Sequence, residues 1–230
     1  MTNHPIIRLV IATREGKDGF FTNTLTGKSL ALYHWPFVQL RLFLENKAGL
    51  STVYNQAIEE AKNDSALLVF LHDDILMCDF HWADQLIAGL SQFQIIGLAG
   101  NTRRVPKQPA WAFINDQFTW DDRCYLSGMV GHGVTFPPNN LSYFGPAKQE
   151  VKLLDGLLLA SHSGTLINHH IRFDEQFAFH FYDMDFCRQA ETKGLTLGTW
   201  PLSVVHKSGG NFGSEAWKKA YQAYLAKWME

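Results

Sequence analysis

The stretch "LVFLHDDILM", residues 68–77, decides how this 230-residue chain is interpreted. An apolar run leads into three polar residues, His72, Asp73 and Asp74, and the chain is then apolar again. Such a run is typical of a strand buried in a parallel sheet. Two adjacent carboxylates are costly to bring together unless a cation or hydrogen-bond donors neutralise them. The stretch therefore predicts a buried strand whose carboxyl end carries either a metal site or a solvated cap.

Strands and helices alternate on both sides of this stretch. Apolar, β-branched runs predict further strands at 6–13, 37–46 and 94–100. Helical spacing predicts helices at 50–64, with Ser51 or Thr52 as N-cap, and at 81–93. This alternation predicts an α/β fold with a mostly parallel, Rossmann-like sheet flanked by helices.

The second half of the chain is less regular. Prolines, glycines and tryptophans break the periodicity at 101–152, which predicts an irregular insertion or flap. Apolar strands follow, then a helix at 183–193 that ends at Gly194, and a strand that ends at His206. The tail, 214–230, predicts an amphipathic helix with an aromatic face. That face fits either a closing helix packed on the core or a contact with a membrane surface.

Composition narrows the class of protein. The formal net charge is -2, which argues against a nucleic-acid binder that relies on bulk electrostatics. Three cysteines without metal-site spacing fit a reducing compartment. No apolar run approaches the length of about 18 residues that predicts a membrane-spanning helix. We therefore expect a cytoplasmic protein, at most attached peripherally to the inner face of a membrane, with its oligomeric state left open.

Two further segments contain candidate functional residues. In "FHFYDMDFC", Asp183 and Asp185 lie at a predicted helix start, where carboxylates are favoured as caps. Asp183 follows a run of aromatic residues, so that desolvation could raise its pKa and make it a general base. In "VVHKSGG", His206 ends a β-branched strand, a position typical of a ligand or catalytic group, although a lone histidine at a strand end is more often structural.

Together these segments resemble the family 2-type glycosyltransferases of the GT-A fold. The resemblance rests on the order of "ENKAGLSTVYNQAIEEAKNDSALLVFLHDDI", "LLDGLLLASHSGTLI…FDEQFAFHFYDMDFCRQAETKGL" and "VVHKSGG". It covers roughly residues 6–210 and is weakest at 101–150. It implies one domain, 1–230, with a nucleotide-binding half (1–100), an insertion (101–152), an acceptor and catalytic half (153–213) and a C-terminal helix (214–230).

The resemblance also implies roles for individual residues. Asp74 stands at the second Asp of the Asp-x-Asp motif and is the expected metal ligand, completed by His206. His72 occupies the position of the first Asp, with Asp73 between them. Asp183 matches the catalytic base, preceded by Tyr182 where the family has Glu.

Nucleotide-side and acceptor-side positions follow from the same pattern. The usual acidic pair after the second strand is absent, and its nearest substitutes are Glu45 and Asn46. The pattern assigns Thr13, Arg14 and Asn55 to the nucleotide side, and Asp155 and Gly156 to the acceptor side. Apart from the matched motifs, Trp111 and Trp120 could stack on an acceptor sugar, with packing under the flap as the favoured role for at least one of them.

The implied activity is an inverting transfer of a sugar from a nucleotide-diphosphate sugar, expected to be a UDP-sugar, to a hydroxyl of a saccharide or lipid-linked acceptor. Mn²⁺ or Mg²⁺ is the implied cofactor, and surface polysaccharide assembly the implied role. Two alternatives stay open: a non-catalytic sugar-binding homologue, and another metal-dependent nucleotide enzyme such as a nucleotidyltransferase or phosphohydrolase. Against a phosphate-binding loop, only Gly16 and Gly19 follow the first strand, without a Lys-Ser or Lys-Thr ending.

Overall fold

Thirteen strands and seven helices make up the described part of the chain, residues 4–230 of a computed structural model. The strands are β1 (Ile7–Ala12), β2 (Val38–Phe43), β3 (Leu67–Leu71), β4 (Ile75–Met77), β5 (Ile95–Gly97), β6 (Ala99–Asn101), β7 (Leu126–His132), β8 (Asn140–Gly145), β9 (Glu150–Val151), β10 (Leu153–Leu154), β11 (Leu158–His162), β12 (Leu197–Thr199) and β13 (Val204–His206). The helices are α1 (Lys17–Asn23), α2 (Leu25–Leu30), α3 (Leu50–Glu60), α4 (Trp82–Leu90), α5 (Ser163–Asn168), α6 (Tyr182–Thr192) and α7 (Glu215–Trp228).

The larger sheet has seven strands in the order β2-β1-β3-β11-β5-β12-β9. Strands β1, β2, β3, β5 and β12 run in one direction, while β11 and β9 run against them. Every residue of β3 is buried, as its apolar sequence predicts for a strand covered on both faces. The predicted α/β fold with a mostly parallel sheet is confirmed.

A second sheet of six strands lies beside the first. Its order is β10-β6-β7-β13-β4, and β8 pairs antiparallel with residues 128–132 of β7. The predicted single strand at 94–100 is in fact two strands, because the chain passes from the larger sheet at Gly97 into the second sheet at Ala99. The segment predicted as an irregular insertion supplies the β7–β8 hairpin, and Trp111 and Phe113 of the same segment are buried. Part of the segment is therefore in the core, while strand β8 of the hairpin is largely exposed.

The start of α3 differs from the sequence-based prediction. The residue before the helix is Gly49, and no side chain caps the helix. The Ser51 hydroxyl instead donates to the carbonyl of Phe177 at 2.6 Å, so it is not available as a cap. A Cβ on Gly49 would lie 2.8 Å from Cα of Ala178, so the close approach of two chain segments explains the glycine.

The tail forms α7, capped by Ser214, whose hydroxyl accepts from the amide of Trp217 at 3.2 Å. Its aromatic face is buried: Trp217, Tyr221 and Tyr224 pack against Phe181. This burial favours the closing-helix alternative over contact with a membrane surface. Within residues 4–230, no helix combines the length and the apolar composition needed to cross a membrane.

Candidate active site

The polar end of β3 is folded back into a tight turn that leads directly into β4. Thr26, fully buried in α2, has its hydroxyl within hydrogen-bond distance of the carbonyls of His72 and Ile75, to one of which it donates, and it accepts from the amide of Ile75. Strand β13 pairs antiparallel with β4 so that His206 lies opposite Ile75. This register brings His206 beside the carboxylate of Asp74.

His72, Asp74 and His206 form a cluster whose nitrogen and oxygen atoms lie within 4.8 Å of one another. Oδ1 of Asp74 is 3.3 Å from Nε2 of His206 and 4.0 Å from Nδ1 of His72. On its other side, Oδ2 of Asp74 accepts a hydrogen bond from the Ser208 hydroxyl at 2.5 Å. Within the described residues, Oδ1 is buried and accepts no hydrogen bond.

This donor set fits a divalent cation. A buried carboxylate oxygen without a hydrogen-bond donor is costly, and a cation held between it and two imidazoles would remove that cost. Burial opposes ionisation of Asp74, but the His206 imidazole and the Ser208 hydroxyl outweigh it and lower the pKa of the carboxyl. Burial also lowers the pKa of His72, despite the neighbouring carboxylates, and so favours the neutral imidazole that binds metals.

The cluster lies between two cavities. The strand-end cavity, about 450 Å³, opens where β1, β2 and β3 end, and the aromatic cavity, about 580 Å³, lies on the side of α6 and the β7–β8 hairpin. His72, Phe179 and Ser208 line both. Ligands of open α/β sheets bind beyond the carboxyl ends of the strands, which is the position of the strand-end cavity.

Most residues predicted for the nucleotide side meet in the strand-end cavity. Its lining includes Thr13, Arg14, Asn46, His72, Asp73 and Asp74, together with Lys47, which the sequence-based prediction missed. Glu45 and Asn55 do not line it. Glu45 is exposed in the turn after β2.

Asn55, predicted on the nucleotide side, is hydrogen-bonded to the backbone of Phe173. Its side-chain amide donates to the carbonyl of Phe173 at 2.7 Å and accepts from the amide of the same residue at 2.9 Å. Both polar atoms of the side chain are thus engaged in holding the segment before α6 against α3.

Asp183, the predicted base, lines the aromatic cavity at the first turn of α6. Its oxygens accept from the amides of Gly156 at 3.0 Å and Met184 at 2.8 Å. Burial, and secondly the nearby carboxylate of Asp155, raise the pKa of Asp183 to about 7, although the two amides act in the opposite direction. A carboxylate with this pKa can both exist ionised and accept a proton near neutral pH.

The two tryptophans in the aromatic cavity differ in accessibility. Trp111 is buried, and its Nε1 donates to Oδ2 of Asp155 at 2.7 Å, so that it orients this carboxylate. Trp120 is 54% exposed and stacks on Phe144 with ring centroids 6.0 Å apart. Trp120 therefore keeps a ring face free for a ligand, whereas Trp111 does not.

One chain of hydrogen bonds links the cluster to the candidate base. Nε2 of His72 lies 2.9 Å from the Tyr182 hydroxyl, which donates to the carbonyl of Gly156 at 2.7 Å. The amide of Gly156 in turn donates to Asp183. A Cβ at position 156 would lie 2.4 Å from the hydroxyl oxygen of Tyr182, so only glycine allows this contact.

Three further residues of the site escaped the sequence-based prediction. Ser208 donates a hydrogen bond to Asp74 and lies two residues after His206, in the glycine-containing segment that follows β13. His132 is in register with His206 on the neighbouring strand, and it also lines the aromatic cavity. Thr26 shapes the turn after β3. The sequence offers no signal for His132 or Thr26, because each depends on long-range pairing.

The raised pKa of Asp183 predicts a pH-dependent stability difference. From its ordinary pKa of 3.8 up to about 7, the folded protein retains a proton that the unfolded chain has lost. The free energy of unfolding contributed by this group therefore falls as the pH rises through that range. Asp183→Asn does not titrate, so its melting temperature relative to the wild type should rise between about pH 5 and pH 8. Thermal unfolding at both pH values checks this, and an unchanged difference would contradict the raised pKa.

Comparison with known proteins agrees with the site. A family model described as "Glycosyltransferase like family" matches residues 41–227, well over half of the chain. No curated protein matches.

Two solved structures are similar in fold. The first is the crystal structure of GalNAc-T7 with UDP, GalNAc and Mn²⁺. Its sequence is 14% identical to this chain and its TM-score is 0.59, and the match covers 98% of this chain and 48% of GalNAc-T7. S. aureus TarS 1–349 in complex with UDP-GlcNAc is 12% identical with a TM-score of 0.53, over 94% of this chain and 61% of that one. The chain thus spans about half to three fifths of these proteins. It has the fold of GT-A glycosyltransferases and belongs to the glycosyltransferase-like family.

Proposed function

We propose that this chain is a metal-dependent, inverting glycosyltransferase that moves a sugar from a nucleotide-diphosphate sugar, expected to be a UDP-sugar, to a hydroxyl of a saccharide or lipid-linked acceptor. The observation that carries the proposal is the buried, unpartnered oxygen of Asp74, which faces two imidazoles at the boundary between two cavities. One cavity lies at the strand ends and suits the donor, and the other holds a carboxylate with a pKa of about 7.

The strand-end cavity supports the donor half of the proposal. Arg14 and Lys47 line it and offer positive charge to a diphosphate, and Thr13, Asn46 and Asp73 offer hydrogen bonds to a nucleoside. Both similar structures described above contain UDP or a UDP-sugar. This chain has the same fold, which supports a uridine nucleotide as the donor.

Asp74 and His206 would hold Mn²⁺ or Mg²⁺ beside the diphosphate. When bound, the ion would neutralise the charge that develops on the leaving diphosphate. The Ser208 hydroxyl contributes by fixing Oδ2 of Asp74, which leaves Oδ1 directed at the two imidazoles. Asp73 is not part of the cluster and stays on the donor side.

Asp183 serves as the general base on the acceptor side. The acceptor oxygen attacks the anomeric carbon and its proton passes to the Asp183 carboxylate, while the bond from that carbon to the diphosphate oxygen breaks. A single displacement of this kind inverts the anomeric configuration. The amides of Gly156 and Met184 hold the carboxylate in place for the transfer.

The aromatic cavity would receive the acceptor. Trp120 presents a free ring face on which a sugar can stack, and Asp155, oriented by Trp111, can accept hydrogen bonds from its hydroxyls. The apolar walls also keep water away from the donor. A role in surface polysaccharide assembly remains a prediction from the family resemblance. The buried aromatic face of α7 gives no support to a membrane contact through the tail.

A donor screen tests the proposed activity. The purified chain is incubated with a panel of UDP-sugars and saccharide acceptors, with and without Mn²⁺, and released UDP is measured. We expect UDP release that requires the metal and an acceptor. Tight UDP binding without release from any donor would favour the non-catalytic alternative. Release of inorganic phosphate or pyrophosphate would favour another nucleotide enzyme.

A further inference from the structure

Tyr182 stands where the resembled family has an acidic residue, and its buried hydroxyl contacts His72 of the cluster. A phenol has one proton to donate, and that of Tyr182 goes to the carbonyl of Gly156, which can only accept. The 2.9 Å contact between the hydroxyl oxygen and His72 therefore requires His72 to donate from Nε2.

An imidazole that binds a metal ion is neutral, and in that form His72 would carry its proton on Nε2 and a lone pair on Nδ1. That lone pair lies on the side of Asp74, with Nδ1 4.0 Å from Oδ1. Oδ1 is the buried oxygen that accepts no hydrogen bond within the described residues. Two atoms with lone pairs thus lie 4.0 Å apart, and Nε2 of His206 lies 3.3 Å from the same oxygen and 3.1 Å from the Ser208 hydroxyl.

We propose that Tyr182 is a positioning residue that fixes the tautomer of His72 and so makes Nδ1 a third metal-binding atom. This inference rests on the proposed metal role of Asp74 and His206. The resulting set of two imidazoles and one carboxylate suits Mn²⁺ and later first-row ions better than Mg²⁺, which prefers oxygen ligands. The tyrosine would therefore increase the affinity of the site for Mn²⁺ and also its selectivity for first-row transition-metal ions over Mg²⁺.

The packing around Tyr182 leaves its hydroxyl little freedom. Its ring lies against those of Tyr54 and Phe173, with centroids 5.9 and 6.0 Å away, and Gly156 provides the space for the hydroxyl. Tyr54 offers a matched control. It is equally buried and adjacent, but its hydroxyl has no hydrogen-bond partner in the described residues.

The main experiment compares Tyr182→Phe with Tyr54→Phe in metal-free protein. Binding of Mn²⁺ and Mg²⁺ is measured by calorimetry, and folding by the melting temperature. Loss of a residue that orients a metal ligand typically costs about 10- to 100-fold in affinity. We expect Tyr182→Phe to raise the Kd for Mn²⁺ by this factor, to change that for Mg²⁺ much less, and Tyr54→Phe to change neither. Equal weakening for both ions, or no difference between the two variants, would overturn the inference.

A second readout needs neither metal nor activity. ¹⁵N spectra of histidine-labelled, metal-free protein distinguish the two tautomers, and the His72 signals are assigned by their loss in His72→Gln. The proton is expected on Nε2 in the wild type and on both nitrogens in exchange in Tyr182→Phe. A proton on Nδ1 in the wild type would overturn the inference. If Mn²⁺ does not bind at all, the proposed metal role fails, while the spectra still decide what Tyr182 does to His72.

Discussion

Replacing Asp183 by asparagine should lower the turnover number by about 10²-fold or more, the scale of a lost general base. Asparagine keeps the size of the side chain but cannot take the proton of the acceptor hydroxyl. Asp183 lies in the aromatic cavity and does not line the strand-end cavity, so the Kd for the donor should be unchanged. Steady-state kinetics and donor titration of the same preparation check the two halves of this expectation.

Asp79→Asn is a suitable control for this substitution. Asp79 lines neither cavity, and its carboxylate accepts one backbone hydrogen bond, from the amide of His81 at 2.7 Å, which asparagine can also accept. Its turnover number should match that of the wild type. Equal turnover numbers for Asp183→Asn and Asp79→Asn would remove Asp183 from the reaction. The pH profile of kcat adds a separate criterion, because activity should rise with pH through about 7 as Asp183 loses its proton.

Asp74→Asn should abolish most metal-dependent turnover, with a loss of about 10²-fold or more, because a metal ion contributes several kcal/mol to stabilising the transition state. The amide has nearly the same shape, and its oxygen can still accept the hydrogen bond of Ser208. It lacks the negative charge that attracts a divalent ion. Adding Mn²⁺ should raise the melting temperature of the wild type, and we expect this rise to disappear in Asp74→Asn.

The neighbouring carboxylate provides the comparison for this second variant. Asp73 is adjacent in sequence and carries the same charge, but it is not part of the cluster with His72 and His206. Asp73→Asn should therefore keep the Mn²⁺-induced rise in melting temperature that Asp74→Asn loses. Loss of the rise in both variants would indicate that nonspecific negative charge attracts the ion and that no ligand geometry is involved.

The parts of this site that could be predicted from sequence are those tied to a strand end. A buried strand can be recognised from its apolar run, and the residues that follow β1, β2 and β3 line the strand-end cavity because the carboxyl ends of parallel strands meet at one edge of the sheet. The helix at 183–193 was predicted to within one residue, because Gly194, with φ of 73°, ends it as expected.

Contacts between distant segments could not be predicted. His206 reaches Asp74 because β13 pairs with β4 in one register, and a shift of one residue would turn His206 to the other face. The bond between His72 and Tyr182 joins residues 110 positions apart. For Asn55 the family position suggested the nucleotide, whereas its amide is engaged with Phe173. Local pattern gives the elements, and pairing between elements gives the site.

The most direct test of the account is a crystal of this chain soaked with UDP and Mn²⁺, with anomalous data collected at the manganese absorption edge. We expect one anomalous peak in contact with Asp74 and His206, at a position that Nδ1 of His72 can also reach. We expect the uridine in the cavity lined by Thr13, Arg14 and Asn46, and Asp183 in the aromatic cavity on the other side of the cluster. UDP bound elsewhere, or manganese away from Asp74 and His206, would contradict it.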